Sequence, residues 1–361
     1  MKQSKHNIYY SPKEVRTILE RSIDTALDGL KGYCNDPVSD FTRCRKLPAR
    51  TLIECIMSFS NYSSIGELSH FFVGHGEMPS ASALSQRRQL LDPDIFKRIN
   101  NLFVSAFDDH TTINGYHILA QDGSDVNIPF MDDKTKTEKH DAKSFCQYHV
   151  NALYDCINKV FYDWSIDAAS KKREVNALIS ILKDRNYPQN SIFTADRGYE
   201  SYNLMAHFIE NDTKFVIRVK DIHTKSGLMT NIKTEEGAFD MRINRTLTSL
   251  QTKEIKADKE KYIFVPSTSN FDFLDENRDF YDLSFRAVRF KISEDTYETV
   301  VTNLSEEEFK TEDFKELYHY RWNEETAFNK LKYTIGLVYF HARKRKLIQQ
   351  EINAAFLMYN V

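Results

Sequence analysis

The chain reads as an α/β protein: a ribonuclease-H-like mixed sheet flanked by helices, with a β-rich insertion and an N-terminal helical domain. Three patterns predict this. Apolar residues recur at helical intervals over about the first 110 residues, strands alternate with helices from about 113 to 219, and strands dominate from 238 to 302. A length of 361 residues exceeds one ordinary compact core, and an aromatic content of 13% supports a sizeable interior. We therefore expect a helical unit over 1–110, a first catalytic part over 111–220, an insertion over 221–303 and closing helices over 304–361.

In the N-terminal unit, Ser11-Pro12-Lys13-Glu14 has the form of an N-cap with proline at the first helical position, followed by Val15, Ile18, Leu19, Ile23 and Leu27 at helical spacing. Further helices start near Pro48, at Ser63 to Glu67, and at Ser80, the last leading into Gln86-Arg87-Arg88. Hydroxylated residues at a helix start, then a glutamine and two arginines, suit a helix whose first turns meet DNA. The same pattern suits a bundle with a solvated charged face.

The second part predicts strands at 116–120, 148–153 and 160–166, a crossover helix at 172–186, a strand at 192–195, a helix at 201–210 and a strand at 214–219. Three early strands, helix, strand, helix and strand is the order of a ribonuclease-H-like fold. The first strand ends in Gln121-Asp122-Gly123-Ser124 and the fourth in Asp196-Arg197-Gly198-Tyr199. Each places an Asp just past a strand, beside a glycine that permits a tight exit. Such dipeptides also mark ordinary turns. If the two strands are neighbours, however, both carboxylates emerge at one edge.

Strands are predicted next at 238–243, 249–255, 262–265, 285–292 and 296–302, and read as an insertion domain or an elaborated sheet edge. Residues 268–278 read as a mobile loop, with Phe271, Phe273 and Phe280 as base-stacking or core residues. After them, Thr311 is placed as an N-cap with Glu312 and Asp313 in the first turn, and Gly336 as the stop. Along this one long helix Tyr318, Arg321, Glu325 and Lys332 fall within about 60° of azimuth, beside an apolar stripe of Leu317, Phe328, Leu331 and Ile335. One acid among two cations and a phenol suits a divalent ion held together with phosphate, and equally a surface laced with ion pairs. Glu325, with Asp122 and Asp196, would complete a three-acid site for two Mg²⁺ ions roughly 3.5–4 Å apart. Glu324 adjoins it, but its azimuth lies among the apolar residues.

These residues resemble the DDE transposases of the insertion-sequence 4 family, whose Tyr-(2)-Arg-(3)-Glu-(6)-Lys signature matches Tyr318, Arg321, Glu325 and Lys332 without a gap. The resemblance spans most of 110–361 and implies that Asp122, Asp196 and Glu325 are the catalytic metal ligands, with Mg²⁺ as cofactor and Mn²⁺ as substitute. It implies that Tyr318, Arg321 and Lys332 contact phosphates of the transposon end, that the helical domain binds that end, and that the insertion helps position a DNA hairpin. Its partners would be double-stranded DNA at transposon ends and target DNA, within a homodimeric synaptic complex. The chain stops inside an apolar helical pattern at 356–361, as though a part that serves dimerisation in such transposases were missing.

The formal net charge of −3 is unlike that of a generic nucleic-acid binder, so DNA contact must come from local basic clusters. Besides Arg87 and Arg88, the run His341-Ala342-Arg343-Lys344-Arg345-Lys346 is the clearest, with Arg343 and Lys344 as backbone contacts. The cysteines, Cys34, Cys44, Cys55, Cys146 and Cys156, lack paired spacing and read as reduced thiols; Cys146-x-x-His149 has no second pair to complete a zinc site. No apolar stretch is long enough to span a bilayer, and a cytoplasmic, nucleoid-associated protein is expected. Two alternatives stay open: a ribonuclease-H-like nuclease, and a catalytically silent or truncated DNA-end-binding regulator.

Overall fold

The computed structural model describes residues 1–4, 10–43, 46–74, 76–107, 110–131, 135–139, 142–169, 174–222, 224, 226–294 and 296–361. Cys44 and the start of the predicted crossover helix lie outside them. Strands are β1 (Gln3–Ser4), β2 (Thr112–Ile113), β3 (His117–Ile128), β4 (Lys136–Lys139), β5 (Ala142–Asp155), β6 (Val160–Ala168), β7 (Ser191–Ala195), β8 (Lys214–Val219), β9 (Phe239–Thr248), β10 (Tyr262–Phe264), β11 (Phe280–Ser293) and β12 (Thr296–Thr302). Helices are α1 (Pro12–Asp28), α2 (Ala49–Met57), α3 (Ser64–Phe71), α4 (Ala81–Leu90), α5 (Asp94–Val104), α6 (Glu174–Asp184), α7 (Tyr202–Glu210), α8 (Lys253–Ala257), α9 (Asp313–His319), α10 (Trp322–Tyr333) and α11 (Arg345–Asn360).

Period-2 burial along β3 divides the sheet into two faces. Ile118 and Ala120 join a core with α9, α10 and α11, whereas Leu119 joins one with α6 and α7. The strands run β10-β9-β11-β12-β8-β7-β3-β5-β4, with β6 also on β5. β3, β7 and β8 are mutually parallel, and β5 and β6 return antiparallel. The segment β6-β5-β3-β7-β8 thus has the predicted ribonuclease-H-like order.

Two expectations change here. The strands after 220 do not form a sheet of their own, because β12 pairs with β8 and carries β11, β9 and β10 onto the same sheet. Residues 249–255 are not a strand: Thr252 caps α8, accepting from the Ile255 amide at 3.3 Å. Phe271 and Phe273 pack on Tyr281, while Phe280 stays 44% exposed. The extension is pinned by Arg289, whose Nε and Nη2 donate to the two Asp221 oxygens at 2.8 and 2.9 Å, and by Thr299, which donates to the first at 2.9 Å. Donation from Arg289 is the largest of the effects that hold the Asp221 carboxyl down at about 2.

In the helical unit, Ser11, Ser63 and Ser80 cap α1, α3 and α4, the first with a full capping box through Glu14. The unit is not independent of the sheet. Ala354 and Leu357 of α11 are buried in its core, and α11 covers the sheet with its other side through Ile348, Ile352 and Phe356. Arg88 joins the two: it donates to Glu351 Oε1 at 2.7 Å, the Leu347 carbonyl at 2.7 Å and Gln350 Oε1 at 3.1 Å. Arg88 is only 3% exposed, so it does not present itself to DNA as the sequence suggested. Arg87 is half-buried, donating to the Leu47 carbonyl and lying over the Phe41 ring.

Arg88→Ala leaves buried Glu351 with only His341 as partner and should cost about 3 kcal/mol, read from denaturant unfolding. Asp221→Asn should cost on the order of 1 kcal/mol at neutral pH, discounted for its partial exposure. Because the Asp221 pKa is depressed in the folded protein, its contribution is complete above the unfolded value near 3.8 and disappears as pH falls through about 2. Wild type and variant should therefore converge in strong acid.

Candidate active site

Asp122 lies within β3, not beyond its end. The parallel pairing of β3 with β7 stops at Ala120 opposite Thr194, so Asp122 sits where β3 runs on past its shorter neighbour. Sharing parity with Ile118 and Ala120, it belongs to the face covered by α10. Gly123 is extended backbone within the strand, and its use is space: a Cβ there would fall 2.3 Å from His149 Nε2 and 2.9 Å from Glu174 Oε1. Asp196 directly follows β7 and caps a 3₁₀ turn, its Oδ1 accepting from the Gly198 amide at 2.8 Å. Adjacent strands thus deliver both aspartates to one edge of the sheet, close enough for Asp196 to disfavour ionisation of Asp122.

The signature residues do not share one regular helix. Turn residues Tyr320 and Arg321 separate α9 from α10, with i→i−3 bonds from the amides of Arg321, Asn323 and Glu324. Thr311 is not the cap either; its hydroxyl donates to Asp240, and α9 starts after Glu312. Gly336 ends the segment at φ +95°, a conformation that favours glycine. Asn323 anchors α10 to the sheet by donating to the Cys156 carbonyl at 2.9 Å.

Arg321 is the link between helix and strand. Its Nη2 donates to Glu325 Oε1 at 3.0 Å, and its Nη1 lies 3.9 Å from Asp122 Oδ2. Burial works against its charge, but Tyr318, Glu325 and Asp122 together hold its guanidinium above the usual range. Lys332 donates to the Asp125 carbonyl at 2.9 Å, which ties the far end of α10 to β3 and leaves it further donors. Burial lowers its pKa, opposed by Asp125. Tyr318 departs from expectation: it is 2% exposed and its hydroxyl, buried without a partner, faces no solvent.

Two groups that the sequence did not select complete the setting. Glu324 is fully buried, neither of its oxygens has a hydrogen-bond partner, and burial followed by the nearby Asp122 drives its pKa well above the usual range. Tyr199 is likewise fully buried with an orphaned hydroxyl; burial raises it most, followed by Glu174, Glu324, Asp122 and Asp196. Nothing local in the sequence marks Glu324 as buried beyond its azimuth. For Asp122 too, burial is the first cause of a raised pKa.

Asp122, Glu324 and Glu325 therefore gather around one guanidinium, with Asp196 and Glu174 near Asp122. Excess carboxylate with orphaned buried oxygens fits a hard divalent cation. Among the described residues no three His, Cys, Asp or Glu side chains already stand close enough to hold a metal, so ligation requires side-chain rotation. Cys146 and His149 are not a zinc pair. The thiol donates to the Met131 carbonyl at 3.0 Å, and the imidazole lies between carboxylates. Arg343 and Lys344 are exposed at the start of α11, with Lys344 Nζ donating to Gln89 Oε1 at 2.7 Å.

Comparison with known proteins places a family model described as a transposase DDE domain over residues 113–361. Curated protein sequences give no match. Among solved structures, the chain is similar to one described as the cryo-EM structure of a piggyBac transposase synaptic complex with hairpin DNA. The TM-score is 0.41 at 10% identity, over 97% of this chain and 72% of that one. No described helix is long and apolar enough to cross a membrane.

Because the side chains around Gly123 are confined, Gly123→Ala should displace His149 and Glu174 and lower stability by about 1–3 kcal/mol, measured by thermal unfolding.

Proposed function

This chain belongs to the transposases with a DDE domain, as the match over 113–361 shows, and on that premise we propose that it cuts and joins transposon ends by phosphoryl transfer at Asp122, Asp196 and Glu325. Within that family its signature spacing supports a place in the insertion-sequence 4 group. One observation carries the reading: Arg321 draws Glu325 of α10 toward Asp122 of β3, next to Asp196 of the adjacent strand.

Asp122, Asp196 and Glu325 would hold the divalent cations, Mg²⁺ or Mn²⁺ in its place. When bound, these supply Lewis acidity that activates the attacking oxygen and stabilises the leaving one. Arg321 stays charged despite its burial and is placed to neutralise a phosphate oxygen beside the scissile bond. Glu325 keeps that guanidinium oriented until phosphate competes for it. Lys332 fixes the register of α10 on β3 and retains donors for a neighbouring phosphate. Tyr318 packs against Arg321 and is no nucleophile: its hydroxyl is buried, and burial raises its pKa. Exposed Arg343, with Lys344, provides a backbone contact on the flank. The partners would be double-stranded DNA at transposon ends and at the target, engaged by a homodimer at the nucleoid.

The test uses DNA that flanks the chain's own coding sequence, with Mg²⁺ and a pre-cleaved end. Wild type should nick the end and join its 3′-hydroxyl to target. Asp122→Asn, Asp196→Asn and Glu325→Gln should each lower cleavage at least about a hundredfold while retaining end binding in gel shift. Cutting without any joined product would instead identify a nuclease, and binding without cutting a regulator.

A further inference from the structure

We propose that Glu174 is a fourth carboxylate of the catalytic centre, a ligand to divalent cation delivered from the opposite face of the sheet and held by His149. This rests on the metal-dependent reading above. The assignment starts from placement. Glu174 opens α6, which packs on the face away from α10, and its carboxylate lies against the backbone of both aspartate segments. A Cβ at Gly123 would meet its Oε1 at 2.9 Å, and one at Gly198 would meet its Oε2 at 3.9 Å. The residue after Asp122 and the second after Asp196 thus both lack side chains where this carboxylate passes. Any larger residue at 123 would bar its approach.

His149 fixes the arrangement from below. It is 1% exposed on β5, with Nδ1 2.7 Å from Asp125 Oδ1 and Nε2 3.1 Å from Glu174 Oε1. Asp125 is in turn the residue whose carbonyl receives Lys332. A chain of contacts therefore runs from the signature lysine through β3 and the imidazole to Glu174, which is how a positioning residue sets the angle of a ligand. His149 is such a positioning residue; Glu174 is the one that touches the cation.

Acid clustering alone is no site, but two buried groups point into this one. The Tyr199 hydroxyl is fully enclosed and unpartnered, with Glu174, Glu324, Asp122 and Asp196 as its charged surroundings. Both oxygens of fully buried Glu324 are also unpartnered, beside Asp122. Polar atoms left so in a protein interior are costly unless something binds among them. With Asp122 and Glu325 on the α10 face and Glu174 on the α6 face, carboxylates flank the sheet edge from both sides, and a hard cation takes several oxygen ligands.

The experiment titrates Mn²⁺ into the full chain without DNA, reading affinity by calorimetry and by electron paramagnetic resonance. Glu174→Gln should weaken Mn²⁺ binding by about tenfold or more. Glu174→Asp, which keeps the charge and withdraws the carboxylate by one methylene, should weaken it in the same sense, and it decides the matter if the Gln variant does not fold. Wild-type Mn²⁺ affinity in either folded variant, alongside loss in Asp122→Asn, would overturn the role of Glu174 and leave the triad intact. Wild-type affinity in Asp122→Asn as well would overturn the metal-dependent reading itself.

Discussion

Electrostatic crowding at the end of β3 is the constraint on which the centre of this molecule depends. Asp122, Asp196, Glu174, Glu324 and Glu325 share that edge with one guanidinium, Arg321, and much of the group is removed from water. Uncompensated carboxylates in a low-dielectric setting repel, and each raises the cost of ionising the next. The fold answers through Arg321, whose two ends reach a helix acid and a strand acid, and through the Gly123 and Gly198 backbone amides, which donate to one oxygen each of Asp122 and Asp196. What these leave uncompensated is the negative charge that the proposed divalent cations would balance.

Holding such a group together requires stiffness from elsewhere, and α11 provides much of it. One of its sides completes the core of the helical unit and the other covers the sheet beside α10. Polar ties run the same way: Trp164 donates to Asn353, Asn353 to the Pro93 carbonyl, and Asn360 to the Phe161 carbonyl. Buried Arg88 closes the junction through Glu351. The signature segment is therefore fixed between a sheet and a helical unit that share one helix.

Much of the scaffold could be read along the chain. Caps at Ser11, Ser63 and Ser80, the strand Lys214–Val219, and the Asp196 turn are set by residues within one or two turns of themselves, where local hydrogen bonds and steric preference dominate. Misreadings cluster where a distant partner intervenes. Thr311 looked like a cap until Asp240 took its hydroxyl. Gly123 looked like a turn glycine, but it is a gap that His149 and Glu174 fill. Arg88 looked like a DNA contact by composition alone, and Glu351, more than 250 residues away in sequence, buries it.

By itself the sequence determined the order of the main strands and helices from 116 to 219, the placement of Asp196 directly after a strand, and the i, i+4 relation of Arg321 to Glu325. Those follow from backbone periodicities of 2.0 and 3.6 residues, which need no partner. Only the tertiary structure decided that β9 to β12 extend the existing sheet, that Tyr318 and Glu324 turn inward, and that the Glu174 carboxylate lies against Gly123 and Gly198 from the far face. Burial and pairing of that kind depend on what packs opposite, and residues far along the chain fix it.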